Sequence, residues 1–153
     1  MPELHFEDLS VGQTFETASY TISEDEALAF GRRYVPMPYH VDHDAARSYS
    51  YGGIIVPGHL TGAIAFGLFV RLGLFDKTAQ GAPGLTLRWV RPVRPGDTIR
   101  AVASVVELSP ARAAGGRDAF RLRLDTFNQK DELVLVHESW QFIRRRGAPP
   151  TGG

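Results

Sequence analysis

The chain reads as an α+β domain in which a strongly curved antiparallel sheet wraps one long helix. Two observations lead there. From Gly58 to Phe75 the residues are apolar on nearly every helical face, with Leu60, Ile64, Ala65, Phe66, Leu68, Phe69, Val70 and Leu72 among them. A helix apolar all round has to be surrounded, not laid on a surface. After it come segments that alternate apolar and polar residues, Phe120–Phe127 (FRLRLDTF) most cleanly, which is the pattern of strands with one face buried.

In chain order, Phe15–Ile22 carries β-formers with partial alternation and reads as a strand. Ser23 stands three residues before Glu26 in capping-box spacing, and Ala27, Leu28, Phe30 and Tyr34 follow at helical intervals. Pro36 and Pro38 end that helix and hold the backbone extended around Met37. Asp42 or Asp44 caps a short helix through Ala45, Ala46 and Tyr49, and Gly52-Gly53 breaks the chain before Ile54-Ile55-Val56. The long helix covers about 58–75. Leu85–Val90, Thr98–Leu108, Phe120–Phe127 and Leu133–Ile143 read as strands, with a turn at Pro92–Asp97, a hairpin loop at Pro110–Gly116 and a turn at Asn128–Asp131. Arg144–Arg146 and the Gly/Pro-rich end read as a solvated tail, so the expected division is one domain over 1–146 and a flexible segment over 147–153. An antiparallel sheet around one buried helix is the hotdog architecture. One helix covers one sheet face, so the other face and the far side of the helix need cover, and a dimer would supply it.

Composition narrows the function. At 153 residues the chain fits one domain, with 43% hydrophobic and 22% charged residues. Lys+Arg and Asp+Glu are equal at 17 each, which argues against a nucleic-acid binder. There are no cysteines, so disulfides, thiolate metal sites and a cysteine nucleophile are excluded, and a cytoplasmic location is compatible. The N-terminus has no signal-peptide core, and Gly58–Phe75 is marginal in length for a membrane span; a buried helix is the better reading.

The chemistry sits in Val35-Pro36-Met37-Pro38-Tyr39-His40-Val41-Asp42 and in Gly53-Ile54-Ile55-Val56-Pro57-Gly58-His59. A histidine in a Pro-stiffened loop is suited to proton transfer near neutral pH. A glycine opening the long helix presents unpaired N–H groups, which with the helix dipole can stabilise a developing oxyanion. In these residues the chain resembles the MaoC-like dehydratase family, hotdog proteins that include (R)-specific enoyl-CoA hydratases. The family motif runs Asp-x-Asn-Pro-x-His-x-Asp, then a Gly-rich break, then Ile-Ala-His/Pro-Gly at the helix start. Pro38, His40 and Asp42 match its first part, and Gly53, Ile55 and Pro57-Gly58 its second. The turn Arg91–Asp97 also resembles the family, and the resemblance spans roughly 6–143.

The resemblance implies hydration of an enoyl thioester, or dehydration of a 3-hydroxyacyl thioester, carried by coenzyme A or a carrier protein. It implies His40 as the catalytic acid/base, the Gly58 N–H as oxyanion donor, and Pro57, His59, Gly53 and Tyr39 around the substrate. It implies no metal or redox cofactor, coenzyme A entering only with the substrate, and a homodimer or a higher assembly of dimers. The family's other catalytic residue, an aspartate upstream of the histidine, falls at Val35, and its asparagine at Met37. Three substitutes stay open: a carboxylate from Asp42 or Asp44, a relay through Tyr34, Tyr39 or His59, or a second, non-identical hotdog subunit. A non-catalytic thioester-binding subunit and a hotdog thioesterase are the alternative functions. His40, Asp42, His43 and Asp44 also have a metal-cluster composition, but along an extended loop their side chains alternate in direction. Arg88, Arg91 and Arg94 are candidates for steering coenzyme A phosphates, or for a solvated strand face.

Overall fold

A computed structural model describes residues 2–112 and 116–149. Its sheet is built from six antiparallel strands: β1 (Thr14–Glu16), β2 (Tyr20–Thr21), β3 (Leu85–Trp89), β4 (Thr98–Ser109), β5 (Ala119–Phe127) and β6 (Leu133–Phe142). The order is β1-β4-β5-β6-β3, with β2 also paired to β4. Alternation does what it implies. Ile99, Ala101, Ala103 and Val105 of β4 and Phe120, Leu122 and Leu124 of β5 turn one face inward, where all are buried. The opposite face of β5 carries Arg121, Arg123 and Asp125, which form a lattice with Glu107 and Glu138 at 3.0–3.7 Å. That face is therefore charged and solvated and needs no partner to cover it. Register shifts between Val105 and Glu107 and between Thr126 and Phe127 mark irregularities of the kind that bend a sheet.

The inward face packs on α4 (Gly58–Val70), the central helix. It ends at Val70, short of the expected 75, because Gly73 takes a left-handed conformation (φ 70°) and its N–H returns to the Val70 carbonyl. It is also not surrounded. His59, Ala63 and Val70 stay exposed and Phe66 half-buried, at intervals that mark one helix face. Beside that face lies β3, an edge strand exposed on both sides, with Leu85 at 58% and Trp89 at 47%.

The segment Phe15–Ile22 divides into β1 and β2, both of which pair with β4 in separate registers. α1 (Glu24–Tyr34) starts where Ser23 accepts a hydrogen bond from the Glu26 N–H at 3.1 Å. It carries three acids in its first turn and Arg32 and Arg33 in its last, in keeping with the helix dipole. The expected extended loop after it is a helical turn instead, α2 (Pro38–Val41), because Pro38 occupies the first helical position, where its missing N–H costs nothing. α3 (His43–Ala46) follows, capped by Asp42. Arg144–Arg146 belong to the fold, not to a tail. Arg144 pairs through its N–H with the Thr78 carbonyl, Arg145 grips the Asp118 carboxylate at 2.9 and 3.0 Å, and Arg146 reaches Asp8. Residues 113–115 of the expected hairpin loop and 150–153 of the expected flexible end lie outside the described residues.

Candidate active site

His40 is 6% exposed, held where α2 passes beneath α1. Gly31 of α1 allows that approach: a side chain there would begin 3.1 Å from Val41 Cγ1 and 3.3 Å from His40 Cβ. The imidazole Nδ1 lies 2.8 Å from the Ile55 carbonyl. A carbonyl only accepts, so Nδ1 carries the proton and donates it, which leaves Nε2 unprotonated in the neutral ring. Burial lowers the His40 pKa below the ordinary histidine value, opposed in part by the Ile55 hydrogen bond. The same bond joins α2 to the segment before α4, and the Ile55 N–H answers with the Tyr39 carbonyl at 3.1 Å.

A cavity of about 440 Å³ opens beside this histidine. Val35, Tyr39, His40, Ile55, Gly58, His59 and Thr61 line one side, and Trp89–Val93 much of the other. The N–H groups of Gly58 and His59 open α4 and have no acceptor within the helix. Gly58 has a further reason to lack a side chain: a Cβ there would fall 2.5 Å from Cε2 of the Trp89 indole, which also stands 5.7 Å from the His59 ring. Tyr39 stacks edge-on to His40 at 4.6 Å and to Tyr49 and Tyr51 at 5.0 and 5.6 Å, forming an aromatic rim.

The expected site residues sort into two groups. Tyr39, His40, Gly58 and His59 meet at one cavity, and Val35 faces into it with them. Pro57 is buried as the cap of α4, and Gly53 serves through its carbonyl, which accepts from Arg94 at 3.3 Å. Asp42 and Tyr34 are not among the lining residues, and each is otherwise engaged. One Asp42 oxygen accepts from the Asp44 and Ala45 N–H groups at 2.9 and 3.0 Å, so its carboxylate caps α3. Asp44 pairs with Arg47 at 2.9 Å. Tyr34 is 61% exposed and packs on Phe30 and Arg33. His43 turns to Glu24 at 2.6 Å, away from His40. Arg94 is not free to steer phosphates, since it holds the Tyr51, Gly53 and Ile54 carbonyls. Arg91 holds the Leu133 carbonyl, and Arg88 is exposed. Trp89, Tyr51 and Thr61 escape sequence reasoning. Trp89 reads as an ordinary strand residue, and only the β3–β6 register brings it over Gly58. No carboxylate lines the cavity among the described residues.

Residues 7–116 match the family described as "MaoC like domain". The chain belongs to that family. Its fold is the hotdog fold of the MaoC-like dehydratase from Rhodospirillum rubrum, to which it is 32% identical with a TM-score of 0.88, over 95% of this chain and 99% of that one. This MaoC-like domain is also similar along its length to "Uncharacterized protein YdeM" of Bacillus subtilis, 29% identical over 93% of this chain and all of the relative. A shorter match, 37% identical over 59 residues, links 39% of this chain to 17% of the mesaconyl-CoA hydratase of Cereibacter sphaeroides. No helix among the described residues is long and apolar enough to cross a membrane.

Proposed function

We propose that this MaoC-like domain binds an acyl thioester in the His40 cavity and adds or removes water across its Cα–Cβ bond. The observation that carries the reading is the convergence of an unprotonated His40 Nε2 and the unpaired Gly58 N–H on one cavity. The similarity to a dehydratase and, over a shorter stretch, to a CoA-ester hydratase supports the same reaction class. In the hydration direction, His40 Nε2 takes a proton from water as the water oxygen bonds to Cβ. The electron pair of the double bond moves to the thioester oxygen, where the helix-start N–H groups receive the charge. The enolate then collapses as the imidazolium returns the proton to Cα, so the sum is the addition of one water.

The cavity has no carboxylate, and Val35 stands where the family resemblance places one. A second general base of this kind is worth about 10²–10⁴ in rate. His40 therefore works alone, and turnover is slow. The same observation favours a second reading, in which the chain binds acyl thioesters and a different hotdog subunit supplies the carboxylate.

Hydration of crotonyl-CoA, followed by loss of the enoyl absorbance, tests both. Slow turnover that His40→Ala abolishes, and that Val35→Asp raises about 10²-fold or more, is the expected result. Binding without turnover in every homo-oligomeric form would support the binding subunit. Release of free thiol without hydration would replace both readings with a thioesterase.

A further inference from the structure

A second cavity, of about 430 Å³, runs along α4 and shares His59 with the first. Its wall on β6 breaks the alternation that builds the rest of the fold. On β5 the helix-facing residues Phe120, Leu122 and Leu124 are apolar; paired with them across β6 are Gln141, Ser139 and His137. His137 and Ser139 are 4% and 5% exposed, so polar atoms stand buried where the core pattern calls for apolar ones. Burying such groups costs stability unless their hydrogen-bonding capacity is met.

The row is satisfied only in part. Gln141 Nε2 donates to Ser139 Oγ at 2.6 Å, and Ser139 Oγ lies 2.8 Å from His137 Nε2. With the amide donating to the hydroxyl and the hydroxyl donating to Nε2, the His137 proton resides on Nδ1, an assignment made from the network. Phe66 stacks on the imidazole at 5.3 Å and 11° and fixes its plane. Among the described residues neither His137 Nδ1 nor Gln141 Oε1 has a hydrogen-bond partner. Burial holds the His137 pKa below the ordinary histidine range, so the ring is neutral. No Asp, Glu, Lys or Arg lines this cavity among the described residues.

We propose that His137, Ser139 and Gln141 form a subsite for a hydroxyl group carried on the distal part of the acyl chain. Each group left over on the row can pair with a hydroxyl, which accepts from His137 Nδ1 or donates to Gln141 Oε1. A carboxylate only accepts and would meet no cation there. Gly62, Ala63 and Phe66 border this cavity one to two turns beyond Gly58, roughly 6–12 Å along the helix axis. The group recognised therefore lies several bonds beyond the reacting carbons. The inference rests on the thioester reading of the His40 cavity.

Calorimetric titration of the whole protein with saturated thioesters separates the two claims. The probes are butyryl-CoA, octanoyl-CoA, 8-hydroxyoctanoyl-CoA and suberyl-CoA. The expected result is binding of all but suberyl-CoA, with 8-hydroxyoctanoyl-CoA about tenfold tighter than octanoyl-CoA. His137→Leu and Gln141→Leu should each bring that ratio close to one. Butyryl-CoA binding with no preference for the hydroxylated chain in the wild-type protein overturns the subsite and leaves the thioester reading standing. A preference for suberyl-CoA overturns the choice of hydroxyl, and a ratio that survives both substitutions overturns the choice of residues. If no thioester binds, the thioester reading fails and the subsite with it. The wild-type comparison decides the matter even if a variant does not fold.

Discussion

His40 illustrates how one hydrogen bond fixes a tautomer. Because Nδ1 donates to the Ile55 carbonyl, the ring presents its basic nitrogen to the cavity. Burial disfavours the imidazolium, so the histidine stays neutral to lower pH than a solvated one. The base is lost when pH falls through this lowered pKa. The acid limb of kcat/KM for crotonyl-CoA hydration should therefore have its midpoint below 6.5, the ordinary histidine value. A pH–rate profile with that midpoint above 6.5 would remove His40 from the role of base. Val35 is the other deciding residue: it shares the cavity and adds only apolar surface to it.

At the level of elements, the site depends on how closely α1 meets α2. Gly31→Leu would force atoms against Val41 and His40, where the gap is already 3.1–3.3 Å. Overpacking of this kind costs about 1–3 kcal/mol. A fall in the urea midpoint by that measure, together with a loss of hydration activity, is expected; an unshifted midpoint would show that the two helices can separate freely. Asp42 acts through α3. Asp42→Ala removes a cap that accepts two N–H groups and should lower stability by about 1 kcal/mol. Asp42→Asn should recover most of it, and both variants should hydrate crotonyl-CoA within a few-fold of wild type. A drop in rate of the size seen for His40→Ala, in a stable Asp42→Asn protein, would return that carboxylate to the chemistry.

For the whole molecule, of the two surfaces that patterning leaves uncovered, the far side of the helix stays open and the outer sheet face does not. The outer sheet face is closed by the Arg121, Arg123, Glu107 and Glu138 lattice. The open surface is the exposed strip of α4 with the edge strand β3, where Val70, Leu85, Trp89 and Val90 stand in solvent. A bare edge strand with exposed apolar side chains is a template for pairing with another chain. Sedimentation at micromolar concentration should show a dimer, and Leu85→Lys should shift it toward monomer. A wild-type protein that sediments as a monomer would sink this expectation.

The alternation in β4 and β5 and the apolar run after Gly58 carry the α+β fold in one dimension, because a half-buried strand and a buried helix each impose a period on their side chains. The His40–Gly58 motif was likewise legible, since its residues are near in sequence and stiffened by proline and glycine. Other features are contacts between distant segments. Trp89 reaches Gly58 only through strand register, Arg94 closes the 51–54 loop only after the Arg91–Asp97 turn folds beside it, and Arg145 finds Asp118 across the end of the sheet. Asp42 and Tyr34 lie outside the cavity lining for the same reason: spacing places a side chain near His40 along the chain but does not say which way it turns. Sequence alone thus determined the period-bearing elements and the segment that carries His40 and Gly58. The tertiary structure decided which side chains share a cavity, because that depends on pairings whose partners lie far apart along the chain.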